Sequence, residues 1–179
     1  MPGSYAKRTF FKNQDHLGED EKLAVKTPVR AIGPGKIVKY GPATGYGELV
    51  AVVEHDLGKV HEFTNAYGHR KRTRYILSIY GHIRKSAQRG GAGTGLKVGD
   101  SVTKDTILGY INNSSHPDGL TVDPNGDGLE HLHFGIRLSS AATAKARDPN
   151  GWFRGYERST SFGTDFAAGS AVIPILVGQ

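Results

Sequence analysis

Three short segments of the chain carry side chains suited to chemistry: His16-Leu17-Gly18-Glu19-Asp20 near the start, Tyr80-Gly81-His82 near the middle and His131-Leu132-His133 toward the end. On a β-strand successive side chains alternate between faces, so His131 and His133 point the same way while Leu132 enters the opposite layer. Two imidazoles then converge on one small volume. His16 and Asp20 are separated by a Leu-Gly-Glu step, and a turn that folds them together adds one nitrogen and one oxygen donor, a mixed set that suits Zn²⁺. The chemistry such a set supports is hydrolysis, with a metal activating water and further imidazoles moving protons. The arrangement is not the helical His-Glu-x-x-His zinc motif.

Taken singly, each segment has a plainer explanation. A histidine pair on a strand is often polar surface, His82 fits an edge histidine after the apolar run Tyr75-Ile76-Leu77-Ser78-Ile79, and His16 with Asp20 fits a solvated N-terminal loop. The flanks of the pair argue against plain surface, because Leu132, Phe134, Ile136 and Leu138 make an apolar run in which an exposed imidazole pair is hard to place. It is the coincidence of all three segments in one chain that gives the metal reading its weight.

In this order and spacing the segments resemble the lysostaphin/LytM-type zinc endopeptidases, which cut bacterial cell-wall peptides. The resemblance covers about residues 15–138. It takes in His-Leu-Gly-Glu-Asp, the strand pair Thr27-Pro28-Val29-Arg30-Ala31 and Gly35-Lys36-Ile37-Val38, and Tyr-Gly-His. Beyond these lie a hairpin, Val98-Gly99-Asp100-Ser101-Val102 with Ile107-Leu108-Gly109-Tyr110-Ile111, and His-Leu-His-Phe. The resemblance implies that His16, Asp20 and His133 bind zinc and that His82 and His131 are the catalytic histidines, His131 as general base and His82 stabilising charge. Three protein ligands leave a fourth position for water, whose pKa the metal can bring down to about 7. The implied activity is that of a zinc metalloendopeptidase hydrolysing peptide bonds of peptidoglycan, in a cross-bridge or a stem peptide. The alternative is a catalytically inactive wall-binding or regulatory member of the same fold. Long insertions at about 55–73, 84–95 and 113–129 separate the family blocks and bear on substrate choice.

Positioning these residues takes a sheet. Twenty-five Gly and eight Pro, scattered among short Val/Ile/Tyr runs, predict many short strands and turns. Residues 27–31, 35–40, 47–54, 74–82, 101–104, 106–112 and 131–138 have the β-branched and aromatic enrichment of strands. Gly33-Pro34-Gly35 and Asp56-Leu57-Gly58 read as turns between antiparallel neighbours. Ser140 to Arg147 is compatible with a peripheral helix that ends before Asp148-Pro149. The expected fold class is mostly β: a single domain over residues 1–179 built on an antiparallel sheet, with long loops walling a groove and at most a short peripheral helix. Its family-like core is about 15–138, followed by a C-terminal extension, 139–179. At 179 residues such a domain buries roughly 70% of its unfolded surface.

The chain has no cysteine, so disulfides and thiolate metal sites are excluded and any zinc must use His and carboxylate. A net charge of +6, densest at His69-Arg70-Lys71-Arg72-Thr73-Arg74, implies attraction to polyanions, set against the plainer reading of a solvated hairpin tip. Aromatic residues do not interleave the cluster as a stacking platform for nucleic acid requires, so anionic wall polymers are the expected polyanion and no specific nucleic acid is expected. The first residues lack the apolar stretch of a secretory signal and no segment has the length of a membrane span. The expected setting is extracellular, periplasmic or cell-wall, as a mature form or a phage lysis protein, acting on peptidoglycan peptide as a monomer.

Other motifs compete for attention. Val98 to Gly109 also resembles the hairpin of biotinyl and lipoyl carrier domains, but a carrier needs a lysine at the hairpin tip and Lys104 sits in a different motif context. Asp123-x-Asn125-x-Asp127-Gly128 carries the first half of a calcium-loop pattern, yet the twelfth position is Phe134 where a bidentate Glu is needed; an Asx-rich turn explains it equally. Glu19 and Glu130 adjoin motif residues and, by alternation, point away from them. His116, in the polar loop at 113–129, is a candidate substrate contact.

Overall fold

The computed structural model describes residues 14–43, 46–65, 68–88, 90–112, 130–148, 152–153, 156–158 and 166–167, with 14–16, 156–158 and 166–167 described as backbone alone. All strand pairings are antiparallel. In chain order the strands are β1 (Gln14–His16), β2 (Glu19–Lys22), β3 (Pro28–Arg30), β4 (Gly35–Ala43), β5 (Gly47–Thr64) and β6 (Arg70–Arg84). They continue with β7 (Ser101–Val102), β8 (Ile107–Ile111), β9 (His131–Arg137), β10 (Tyr156–Arg158) and β11 (Phe166–Ala167); the helix α1 (Ala141–Arg147) follows β9. Nine of the strands form one sheet with the path β11-β9-β6-β5-β4-β7, to which β2 is added on β9 and β8 on β6, with β3 on β8. Among the described residues β1 pairs with β10 alone.

The centre of the sheet explains the sequence. Leu49-Val50-Ala51-Val52-Val53 on β5 and Ile76-Leu77-Ser78-Ile79-Tyr80 on β6 are buried without a break. Continuous apolar runs of this kind mark strands covered on both faces. One face packs Leu49, Ala51, Val53, Tyr80 and Ile83 against Val29, Ile37, Val102, Leu108 and Ile111. The other packs Val50, Val52, Leu77 and Ile79 against Leu17, Tyr46, Ala144 and Trp152. The helix contributes Ala144 to that second layer. It begins at Ala141, with Ser140 as the cap whose hydroxyl accepts from Thr143 N at 3.2 Å, and Glu54 Oε2 takes the Ala141 N–H at 2.6 Å. The helix reading thus starts one residue too early.

Four expectations change. Asp56-Leu57-Gly58 is not a turn: β5 runs on to Thr64, and the register between β5 and β6 shifts between Asp56 and His61. Gly58 has φ 74° and donates to the Asp56 carboxylate at 2.9 Å, while Leu57 is buried with Ile76 and Leu138. This is a β-bulge, the local feature that a turn-like Asp-x-Gly also fits. The insertion at about 55–73 is therefore largely a two-stranded continuation of β5 and β6, at whose far end His69 N bonds the Asn65 side chain at 2.8 Å. The basic run starts at the closed end of this arm, with His69, and from Arg70 continues along β6. Finally, β7 and β8 do not pair with each other; β7 lies on β4 and β8 on β3 and β6, so the segment is not a self-paired hairpin. The insertion at 84–95 is pinned to the sheet through Tyr40, whose hydroxyl lies 2.6 Å from Thr94 Oγ1 and donates to Leu108 O at 2.7 Å. The loop at 113–129, with His116 and the Asp123–Gly128 pattern, lies outside the described residues.

Candidate active site

β2 and β9 bring the first and last motifs together. Their register opposes Asp20 to His133 and Lys22 to His131, so the carboxylate and both imidazoles share one face. Asp20 Oδ1 lies 3.1 Å from His133 Nδ1 and 3.8 Å from His131 Nε2. The alternate residues, Glu19, Glu21, Leu132 and Phe134, line a cavity of about 290 Å³ on the opposite face, beside Tyr80. Glu19 points away from the imidazoles, as the alternation predicts.

His133 is 1% exposed, and the segment His16–Asp20 passes directly over it. A Cβ added at Gly18 would sit 2.5 Å from His133 Nε2 and 2.8 Å from the Phe134 carbonyl oxygen, so the glycine of His-Leu-Gly-Glu-Asp is required by close approach. The reciprocal contact is at Gly135, where a Cβ would meet the Leu17 carbonyl at 2.7 Å. Leu17 itself is buried among Tyr46, Ile79 and Trp152, anchoring this segment to the core. His16 ends β1 opposite Tyr156; its backbone leads directly into Leu17 and Gly18, and its side chain lies outside the described residues.

His82 reaches the same face by a different route. Gly81 pairs with His133 and Tyr80 with Phe134, so an unbroken strand would return His82 to the Tyr80 side. Instead His82 has φ 59°, and the pairing with β5 steps from Tyr80–Ala51 to Ile83–Leu49, three residues on β6 against two on β5. Tyr80 and Ile83 consequently pack in the same layer, while the His82 ring lies 4.5 Å from the ring of His131 and 6.3 Å from that of His133. Left-handed backbone at a non-glycine residue costs roughly 1–2 kcal/mol, and residues held in this way cluster at functional sites.

The residue missed in the sequence is Tyr46. Its ring is edge-on to His133 at 5.4 Å and tilted against His82 at 5.9 Å, and it fills the space where a Cβ on Gly81 would stand. Tyr-Gly-His needs its glycine for this ring, and Gly45-Tyr46-Gly47, a tyrosine between two glycines just before a strand, was the available signal.

Below His82 a buried hydrogen-bond chain holds β6 in place. Pro34 O can only accept, so His55 Nδ1 donates to it at 2.7 Å; burial lowers the His55 pKa, and the neutral ring then accepts at Nε2 from Ser78 Oγ at 2.7 Å. Ser78 is bonded in turn to Tyr80, whose phenol, pushed up to about 12 by burial, takes the Ile32 N–H at 2.9 Å.

Among the described residues no group of three possible metal-binding side chains is found, the His16 side chain being outside them. The donors that are described fit a borderline divalent cation: one carboxylate oxygen and one imidazole nitrogen 3.1 Å apart, partly shielded from water.

No protein-family model matches the chain. It is 32% identical over 136 residues to the glycyl-glycine endopeptidase ALE-1 of Staphylococcus capitis, an overlap of 75% of this chain and 28% of that protein. It is 30% identical over 135 residues to lysostaphin of Staphylococcus simulans, covering 75% of this chain and 20% of that one. The chain thus spans about a quarter of the length of these curated relatives. Among solved structures, the catalytic domain of lysostaphin from Staphylococcus simulans overlaps 72% of each chain at 24% identity and a TM-score of 0.43. LytU overlaps 79% of this chain and 73% of its own at 22% identity and a TM-score of 0.47. Sequence similarity over three quarters of the chain, on a sheet whose pairing gathers the motif residues to one face, settles the kinship: this chain belongs to the lysostaphin/LytM-type peptidase family.

Proposed function

We propose that this chain is a zinc-dependent endopeptidase that hydrolyses peptide bonds in bacterial peptidoglycan, working outside the cytoplasmic membrane where that substrate lies. The observation that carries the reading is the pairing of Asp20 Oδ1 with His133 Nδ1 at 3.1 Å on the face where the tilted rings of His82 and His131 meet. Zinc held by His16, Asp20 and His133 would supply Lewis acidity and a bound water of lowered pKa. His131 is the general base: its Nε2 faces the Asp20 carboxylate at 3.8 Å and takes the proton of the attacking water. His82, fixed by the bulge, donates a ring N–H to the carbonyl oxygen as negative charge develops there. ALE-1 is by name a glycyl-glycine endopeptidase, so a Gly–Gly bond of a cross-bridge is the first substrate to try, with stem peptides beside it.

The test is metal analysis of the purified protein together with digestion of defined muropeptides, the products weighed by mass spectrometry. About one zinc per chain is expected, lost with Asp20→Ala or His133→Ala, while His131→Ala keeps zinc and loses cleavage. Wild-type protein that binds no zinc, or His131→Ala with unchanged turnover, overturns the reading.

A further inference from the structure

β2 puts one further charged side chain on the face of the motif residues. Its pairing with β9 runs from Glu19–Phe134 to Lys22–His131 without a shift of register, so alternation along the strand holds throughout. Glu19 and Glu21 line the cavity on the opposite face, and Asp20 meets His133 and His131 on this one. Lys22 therefore projects on the side of Asp20. Just beyond it, Leu23 N donates to Glu130 O at 3.3 Å, which makes Leu23–Glu130 a hydrogen-bonded pair and the adjacent Lys22–His131 a non-hydrogen-bonded one. In such a pair the side chains start closest together, with Cβ atoms about 4.5–5.5 Å apart. The ammonium group of Lys22 is thus tethered beside the imidazole read as the general base.

Lys22 is exposed, and among the described residues no carboxylate lies within ion-pair distance of it. Asp20, two residues earlier on the same face, is turned through Oδ1 to the two imidazoles. Glu130 lies opposite Leu23, which lines the far cavity. A lysine on open surface needs no partner beyond water; Lys22 differs because a peptide whose bond reaches His131 must pass it. An extended peptide advances about 3.3 Å per residue, so Lys22 can meet groups one or two residues from the bond being cleaved. A bridge made only of glycine has no side-chain charge to offer there. A stem-peptide residue with a free carboxyl group does, and the resulting hydrogen bond is charge-assisted. We propose that Lys22 is a specificity-determining residue that selects substrates bearing a carboxylate one or two residues from the scissile bond. The proposal rests on the reading of the chain as a wall endopeptidase, and within that reading it favours acidic stem peptides over an all-glycine bridge.

The test uses two muropeptides that differ only in one carboxyl group next to the cleaved bond, free in one and amidated in the other, with the full chain and three variants. Wild-type protein is expected to prefer the free acid by about tenfold in kcat/KM, mainly through KM. Lys22→Gln should bring that ratio near one, Lys22→Arg should keep most of it, and Lys22→Glu should reverse it. A substitution that merely loosened β2 would slow both substrates alike and leave the ratio where it was. A wild-type ratio near one overturns the proposal. So does a ratio that survives Lys22→Gln, which would trace the preference to the net charge of +6 rather than to this side chain. A protein that cleaves neither muropeptide removes the peptidase reading, and the same ratio, taken from dissociation constants by calorimetry, then decides on Lys22. Preference for the acid that is lost in Lys22→Gln upholds the proposal, and equal or absent binding overturns it.

Discussion

The rings of His82 and His131 lie 4.5 Å apart because His82 departs from the alternation of its own strand. The left-handed backbone at φ 59° turns its side chain to the face that Gly81 shares with His133, and the extra residue in β6 absorbs the step.

That geometry predicts an unusual order of stabilities at this position. Both His82→Ala and His82→Gly should lose peptide hydrolysis. Glycine accepts positive φ freely and alanine does not, so the glycine variant should be the more stable by about 1 kcal/mol, contrary to the usual ranking within a strand. Urea unfolding of the two variants measures the difference, and a more stable alanine variant would show that the bulge is not retained.

A second prediction concerns Gly18. With His133 Nε2 2.5 Å from the position of an added Cβ and the Phe134 carbonyl at 2.8 Å, Gly18→Ala cannot be absorbed without moving the imidazole or the chain above it. His133 is backed by the Tyr46 ring, so it has little room to retreat. The expected result is a loss of about 1–3 kcal/mol in stability and a marked drop in zinc content, read by thermal melts and metal analysis. Full zinc content with unchanged melting would contradict the close packing.

The buried His55 gives a pH dependence of known sign. Its folded pKa lies below its ordinary value of 6.5, so the unfolded chain takes up the proton first. The stabilisation is complete above the unfolded pKa and is lost as pH falls below it. Wild-type protein should therefore lose stability from near neutrality toward pH 5, and His55→Gln, which lacks the titrating group, should show a shallower decline over the same window. Chemical unfolding at several pH values compares the slopes; equal slopes would mean that His55 titrates alike in both states.

Much of this arrangement was legible in the sequence, and the limits have physical causes. Alternation was enough to bring His131 and His133 to one face and to send Glu19 away, because β2 and β9 are regular where they pair. The unbroken apolar runs on β5 and β6 marked the central strands. The strand Glu19–Lys22 escaped notice because its residues, Glu-Asp-Glu-Lys, have no β propensity, and its place is set by pairing with β9. Asp56-Leu57-Gly58 misled because a bulge and a turn both want an Asp side chain accepting from a glycine with positive φ. The orientation of His82 follows no periodicity at all, since it depends on a single backbone dihedral.

Tyr46 offers the most direct test of how the site is held. Its buried ring packs against both His82 and His133 and occupies the space that glycine leaves at position 81, so residues 46 and 81 should be energetically coupled. Gly81→Ala forces a methyl group into the ring and should destabilise the wild-type protein strongly, while Tyr46→Ala opens a cavity at a cost of about 3–5 kcal/mol. In the Tyr46→Ala background the new methyl has room, so the Gly81→Ala penalty should shrink and the double variant should be more stable than the sum of the two losses, by about 1–3 kcal/mol. Tyr46→Phe keeps the ring and should retain most of the stability. Strict additivity in this cycle, measured by chemical unfolding, would mean that the tyrosine ring does not rest on Gly81 and that the spacing of His82 and His133 is fixed by other contacts.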